Sequence, residues 1–140
     1  MDNLSFTQVD ASKAGCLEKT VTEQDLAVAV GSGSLPVLGT PILALWMEEV
    51  CHKLAETEIT DPAITSVGCA LSLEHLAPTA PGKKVRLQAE VTQRDDRRIC
   101  YRILAFDEAG LIGKGEHTRV FVKSARFLEK MALRSKEISE

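Results

Sequence analysis

Thr40-Pro41-Ile42-Leu43-Ala44-Leu45-Trp46-Met47-Glu48-Glu49-Val50-Cys51-His52-Lys53-Leu54-Ala55 is the stretch whose reading decides the fold. Thr40 is a favourable N-cap and proline is favoured at the first helical position, so a helix is expected to begin at Pro41. Leu43, Trp46, Met47, Val50 and Leu54 recur at helical spacing. Ile42, Ala44 and Leu45 carry the apolar surface nearly all the way round, and a helix apolar on every side is normally buried. The helix is expected to end near Ala55, where the chain turns polar and reaches Asp61-Pro62.

Upstream, residues 1–15 are polar and read as a loosely held segment, and Cys16 to Val21 alternates weakly as a first strand. Thr22 with Asp25 three residues on forms a capping pattern that opens a short helix, and Gly31-Ser32-Gly33-Ser34-Leu35-Pro36 reads as a loop. Downstream, four strands are expected. In the first, Val67, Cys69, Leu71, Leu73 and His75 share one face, and Gly68, Ala70, Ser72 and Glu74 the other. Val85, Leu87, Ala89 and Val91 alternate with Lys84, Arg86, Gln88 and Glu90, as in a half-exposed strand. Arg98 to Phe106 and Leu111 to Val122 follow, after turns at Asp95-Asp96 and Asp107 to Gly110. The short connections predict an antiparallel meander, and the charged tail, 127–140, reads as a terminal helix.

One long buried helix with a curling antiparallel sheet is an α+β chain of hotdog architecture, in a single domain spanning 1–140. Such a sheet covers one helix but leaves an edge strand and apolar surface unprotected. Pairing with a second copy covers both, so a homodimer is expected.

The composition narrows the function classes. The chain has 140 residues, 44% hydrophobic and 26% charged, with a formal net charge of −3; that is one domain's worth of ordinary globular sequence. Acidic and basic residues are interspersed, which offers no electrostatic case for nucleic acid or an anionic membrane as partner. The N-terminus shows no basic region followed by an apolar segment, so no secretory signal is expected, and Pro41 to Met47 is too short an apolar run to cross a bilayer. Cys16, Cys51, Cys69 and Cys100 show no Cys-x-x-Cys pairing, and three lie in apolar patterns. They read as buried thiols in a reducing cytoplasm.

Thr40, Glu48 and His75 are the chemically suggestive set, since a hydroxyl, a carboxylate and an imidazole can together activate an oxygen nucleophile. Each also has a plainer reading. Thr40 stands where an N-cap belongs, Glu48 could be a solvated helix carboxylate, and His75 could be a satisfied residue at a strand end. A helix start gathers free N–H groups and partial positive charge, suited to an oxyanion or a phosphate. Burial of Glu48 would suit it to base work or to holding a histidine. Eight residues along a helix span about 12 Å. Thr40 and Glu48 of one chain are therefore too far apart to bond, so either substrate lies between them or, as is expected here, the site is completed across a dimer interface.

His52 lies four residues after Glu48 on one helix face, but no further ligands fall at helpful spacing, and no metal is expected. His117 reads as structural. Lys83, Lys84 and Arg119 could meet phosphates, a solvated strand face being the plainer reading. Walker, dinucleotide-fingerprint and nucleophile-elbow motifs are not found in the sequence.

Several pieces together carry a resemblance: Gly39-Thr40-Pro41 with Trp46-Met47-Glu48, then Ser66-Val67-Gly68, Glu74 to Gly82, and Gly113 to Arg119. Over residues 16 to 125 the chain resembles the fluoroacetyl-CoA thioesterase-like family of hotdog proteins. The resemblance implies that Thr40, Glu48 and His75 form the catalytic set for acyl-CoA hydrolysis. It implies that Gly39, Gly68, Gly82 and Arg119 lie at substrate-binding positions near the acyl or CoA group. Where the fluoroacetyl-selective enzymes carry a phenylalanine-rich gate, this chain has Gly31 to Leu35. A more ordinary acyl-CoA is therefore the expected substrate.

The expectation is a cytoplasmic homodimer that hydrolyses a short- or medium-chain acyl-CoA, without cofactor beyond the CoA of the substrate. Thr40 would serve as nucleophile or water-orienting hydroxyl, His75 as general base and Glu48 as its orienting carboxylate or a second base. Helix N-terminal or glycine N–H groups would hold the oxyanion. A non-catalytic acyl-CoA-binding module is the alternative. A hydratase of the same fold ranks below both, because the chain lacks the Asp-x-x-x-x-His arrangement that resembles those enzymes.

Overall fold

The computed structural model describes residues 14–139, with side-chain surroundings through residue 136. Most of the segment 1–15 expected to be loose lies outside the described residues, but Ala14 and Gly15 already belong to a strand. The order is β1 (Ala14–Thr20), a 3₁₀ turn (Glu23–Asp25), α1 (Ala27–Val30), α2 (Thr40–Glu56), β2 (Ile64–His75), β3 (Lys84–Arg94), β4 (Arg98–Asp107), β5 (Gly110–Lys123) and α3 (Ser124–Ser139). Thr22 and Asp25 form the expected capping box, the Thr22 N–H donating to the Asp25 carboxylate at 2.9 Å.

The five strands form one antiparallel sheet in the order β1-β3-β4-β5-β2. Only β3, β4 and β5 form the expected meander. β2 is not beside β3 but at the far edge, paired with β5, because residues 76–83 are a crossing rather than a hairpin. That segment clears three strand spacings, about 14 Å, well within the reach of eight residues. Leu76 donates to Ile112 C=O at 2.7 Å, and Leu38 to Thr79 C=O at 2.9 Å, tying the crossing to β5 and to the approach to α2.

Helix α2 lies in the concave face of the sheet. Leu43, Met47, Val50, Cys51 and Leu54 meet Val85, Leu87, Ile99, Tyr101 and Ile103 in one core. The helix is not covered all round as expected: Pro41, Leu45, His52, Lys53 and Glu56 are exposed, with Leu45 56% accessible. In this arrangement one sheet covers only one side of the helix. The thiols also depart from expectation: Cys51 is buried and Cys100 half-buried, but Cys16 and Cys69 are exposed, and all four are free.

A β-bulge between Gly68 and Ala70 changes which residues share a face of β2. His75, Leu73 and Leu71 lie opposite Gly113, Gly115 and His117 of β5, and after the bulge Gly68 and Ser66 lie opposite Arg119 and Phe121. Gly68 and Ser66 therefore join the helix-facing side, and Val67 moves off it. Strict alternation read from the sequence puts these residues on the wrong faces, because the extra residue resets the two-residue period.

Candidate active site

The helix start is shifted by one residue from the expected one, with chemical consequence. Gly39 is the N-cap, Thr40 the first helical residue, and no side chain caps the helix. Relieved of capping, the Thr40 hydroxyl makes a 2.8 Å hydrogen bond with His75 Nδ1 at the end of β2. With the imidazole proton on Nε2, Nδ1 accepts from the hydroxyl, the polarity needed to draw its proton away. Burial holds the His75 pKa below the usual histidine range, with the Ala77 backbone opposing, so the ring is neutral near pH 7. His75 Nε2 is buried and has no partner in hydrogen-bond geometry among the described residues.

The pair opens on a pocket of about 280 Å³ lined by Ala27, Val37, Leu38, Leu76 and Ala77, among others. Its walls are mostly apolar and its rim contains Ser32, from the loop upstream of α2. The Gly39 N–H is spent on Asp25 C=O at 2.9 Å. Thr40 is thus left as the residue whose own N–H points from the first turn, since Ile42 and Leu43 both donate to Gly39 C=O and Pro41 has no N–H.

The other expected site residues gather elsewhere. Arg119 is buried: its Nε donates to Ser66 Oγ at 2.8 Å, one terminal nitrogen donates to Ser66 C=O at 3.1 Å, and the other reaches His117 Nε2 at 3.1 Å. A guanidinium only donates, so Nε2 is the acceptor and His117 Nδ1 carries the proton it gives to Ala70 C=O at 2.8 Å. Burial foremost keeps His117 below the usual histidine range, with Arg119 adding to it, while the Ala70 backbone and Glu48 act the other way. Gly68 fits over this group because it lacks a side chain; a Cβ there would lie 2.9 Å from His117 Cε1.

Glu48 is half-buried near His117 and Cys51, and it makes no hydrogen bond or ion pair with any described residue. It does not touch His75. One chain therefore brings together Thr40 and His75, and separately Glu48, Gly68 and Arg119. Gly82 (φ +87°) turns the exposed end of the crossing segment, and its N–H donates to Val21 C=O at 2.8 Å. Of the cations expected to face phosphates, Arg119 is buried and satisfied, and Lys83 pairs with Glu108 at 3.6 Å. His52 is exposed and not paired with Glu48, and among the described residues no three potential metal ligands come together. The sequence marks the segment Ser66-Val67-Gly68 without singling out Ser66, whose bonds to Arg119 depend on the bulge.

Comparison with known proteins bears on the family and the fold. The profile of the family described as fluoroacetyl-CoA-specific thioesterase (FlK) matches residues 21–125. The fluoroacetyl-CoA thioesterase of Streptantibioticus cattleyicolor is 32% identical over 95 residues, covering 68% of each chain. A solved structure of the fluoroacetyl-CoA thioesterase FlK superposes with a TM-score of 0.79 at 25% identity, over 86% of this chain and 93% of that one. A hot-dog-like protein from Thermanaerovibrio acidaminovorans shares the fold, with a TM-score of 0.80 at 19% identity over 96% of this chain and 97% of its own.

Proposed function

The chain belongs to the fluoroacetyl-CoA-specific thioesterase family, and from that premise we propose that it hydrolyses short- or medium-chain acyl-CoA thioesters with Thr40 and His75 at the reacting centre. The observation that carries the site assignment is the Thr40–His75 hydrogen bond, made by a hydroxyl that caps nothing.

In the proposed reaction Thr40 Oγ1 attacks the thioester carbonyl carbon as its proton passes to His75 Nδ1. The oxyanion forms at the start of α2, where the Thr40 N–H and the positive end of the helix stabilise it. Collapse breaks the C–S bond, and the CoA thiolate leaves with the proton from His75. Water, deprotonated by the same imidazole, then releases the acid and restores Thr40. No step calls for a metal or a cofactor beyond the CoA of the substrate. The pocket's apolar lining and modest volume suit a short or medium acyl chain. The exposed Gly31–Pro36 loop has no aromatic side chain with which to select a fluorinated acyl group.

The working unit we propose is a homodimer in which two β2 edges pair antiparallel. Gly68, Cys69 and Ala70 are exposed at the centre of that strand, and the exposed Leu45 stripe of α2 lies on the same side of the sheet. Pairing brings the Glu48, Gly68 and Arg119 group of one protomer toward Thr40 and His75 of the other. A carboxylate arriving there gives the buried His75 Nε2–H the partner it lacks, saving the roughly 1–3 kcal/mol that an unpaired buried donor costs. Four free thiols, two of them exposed, suit a reducing compartment, which we take to be the cytoplasm.

The test is thiol and free-acid release from acyl-CoAs running from acetyl to decanoyl. Equal release of both, falling off with chain length, is the expected result. Saturable binding without release would replace this reading with a ligand-binding module.

A further inference from the structure

Thr40 and His75 belong to different elements, the start of α2 and the end of β2, so the 2.8 Å between them depends on how those two ends are held together. The crossing that leaves His75 contains a hydroxyl residue, Thr79, that is only 1% exposed. Its Oγ1 donates to Asp107 Oδ2 at 2.9 Å, at the last residue of β4. The other Asp107 oxygen accepts the Ala109 N–H at 2.8 Å, which fixes the carboxylate in the β4–β5 turn. A hydroxyl on a carboxylate is a charge-assisted bond, of the stronger class.

Thr79 is the junction of a closed circuit around the reacting pair. Its C=O accepts the Leu38 N–H at 2.9 Å, two residues before Thr40. Its side chain is tied to Asp107, which faces Gly110 at the start of β5. Strand β5 in turn holds the other partner: Ile112 C=O accepts the Leu76 N–H at 2.7 Å, and Gly113 lies opposite His75. The start of α2 is thus referred, through one buried side chain, to the strand that holds His75. Ala77 and Pro78 line the acyl pocket, whereas Thr79 does not, and Pro78 has no N–H with which to secure the wall it forms.

We propose that Thr79, held by Asp107, is a positioning residue that sets the approach of the Thr40 hydroxyl to His75 Nδ1 and thereby the rate of the chemical step. The inference rests on the thioesterase reading above, with Thr40 and His75 at the reacting centre. Thr79 acts through Leu38 and the start of α2 and touches no part of the pocket. Reactivity is steep in this coordinate, since a displacement of about 1 Å can cost on the order of 100-fold in rate.

Thr79→Val keeps the volume and removes the donor. Thiol release should show kcat lowered by at least about tenfold, with KM for acyl-CoA within about threefold of wild type. Thr79→Ser keeps the hydroxyl and should restore kcat. In a Thr40→Ala background Thr79→Val should cost nothing further, because the pair it positions is already broken. The nitrogen NMR shift of His75 Nδ1 gives a readout that needs no turnover. The signature of an accepted hydrogen bond should be lost in Thr79→Val as in Thr40→Ala, and kept in Thr79→Ser. Asp107→Ala breaks the same bond from the other side and should reproduce both effects, which keeps the test open if Thr79→Val does not fold.

Unchanged kcat in folded Thr79→Val, an unchanged His75 signal beside a lost rate, or additive losses with Thr40→Ala would each overturn the assignment. A wild type that releases no thiol would overturn the thioesterase reading alone, and the His75 signal would still decide whether Thr79 positions the pair.

Discussion

Thr40→Ala removes a hydroxyl that makes one hydrogen bond, 2.8 Å to His75 Nδ1, and caps nothing. If Thr40 were the N-cap, its loss would cost about 0.5–2 kcal/mol of stability. In its observed place the loss is one hydrogen bond at an exposed residue, at most about 0.5–1.5 kcal/mol. Alanine's higher helix propensity recovers up to roughly 0.7 kcal/mol of that. The net change should stay below about 1 kcal/mol, a Tm shift of only about 3–5 °C for a chain of this length. Catalysis should suffer far more, because the variant has neither nucleophile nor hydroxyl to pass a proton to the base. A fall in kcat/KM of at least about 100-fold is expected, some 2.7 kcal/mol of transition-state stabilisation. Thr40→Ser restores the oxygen and should recover most of the rate. Thermal melts and thiol release on the three proteins make the comparison. Near-full activity in Thr40→Ala, or a melting loss large enough to explain the lost rate, would refute the reasoning.

Three further outcomes follow from particular contacts. His75 must be neutral to act as base and burial lowers its pKa, so kcat/KM should stay level from pH 8 to about 6.5 and fall only below that; a pH–rate profile reads the midpoint. His75 and His117 both have lowered folded-state pKa values, so the folded protein binds fewer protons than the unfolded chain in mild acid. Their stabilising contribution is full above the ordinary histidine pKa of about 6.5 and declines as pH falls through it toward the folded values. Melts at pH 7.5 and 5.5 should show this loss, and His117→Gln should shrink the difference between them. Gly115→Ala would put a Cβ 2.9 Å from both Met47 Sδ and the Ser72 carbonyl oxygen. The backbone oxygen cannot yield cheaply, so denaturant melts should show a loss of about 1–3 kcal/mol.

The sequence is most legible where one regular period governs it. Helix α2 announces itself by apolar spacing, and β3 by alternation, because each packs one face on one core. Strand order is hidden: nothing in Leu76 to Lys83 distinguishes a tight turn from a crossing, and the pairing of β2 with β5 is decided by contacts far apart in the chain. The bulge at Gly68–Ala70 is hidden for a related reason, since a single unpaired residue leaves composition unchanged yet reverses the faces before it. At the site, Thr40, Glu48 and His75 stand out as residue types, but only the fold brings Thr40 to His75 and keeps Glu48 away. Arg119 looks like a surface cation until Ser66 and His117 close around it.

Thiol release by His75→Ala, with and without added imidazole, tests the Thr40–His75 account most directly. Burial leaves this ring neutral and bonded to the Thr40 hydroxyl, so its removal should cost at least about 100-fold in rate. Imidazole diffusing into the vacated space should restore part of that rate, following the fraction of free base as pH changes. Wild-type turnover in the variant would contradict the account and place the base elsewhere in the molecule.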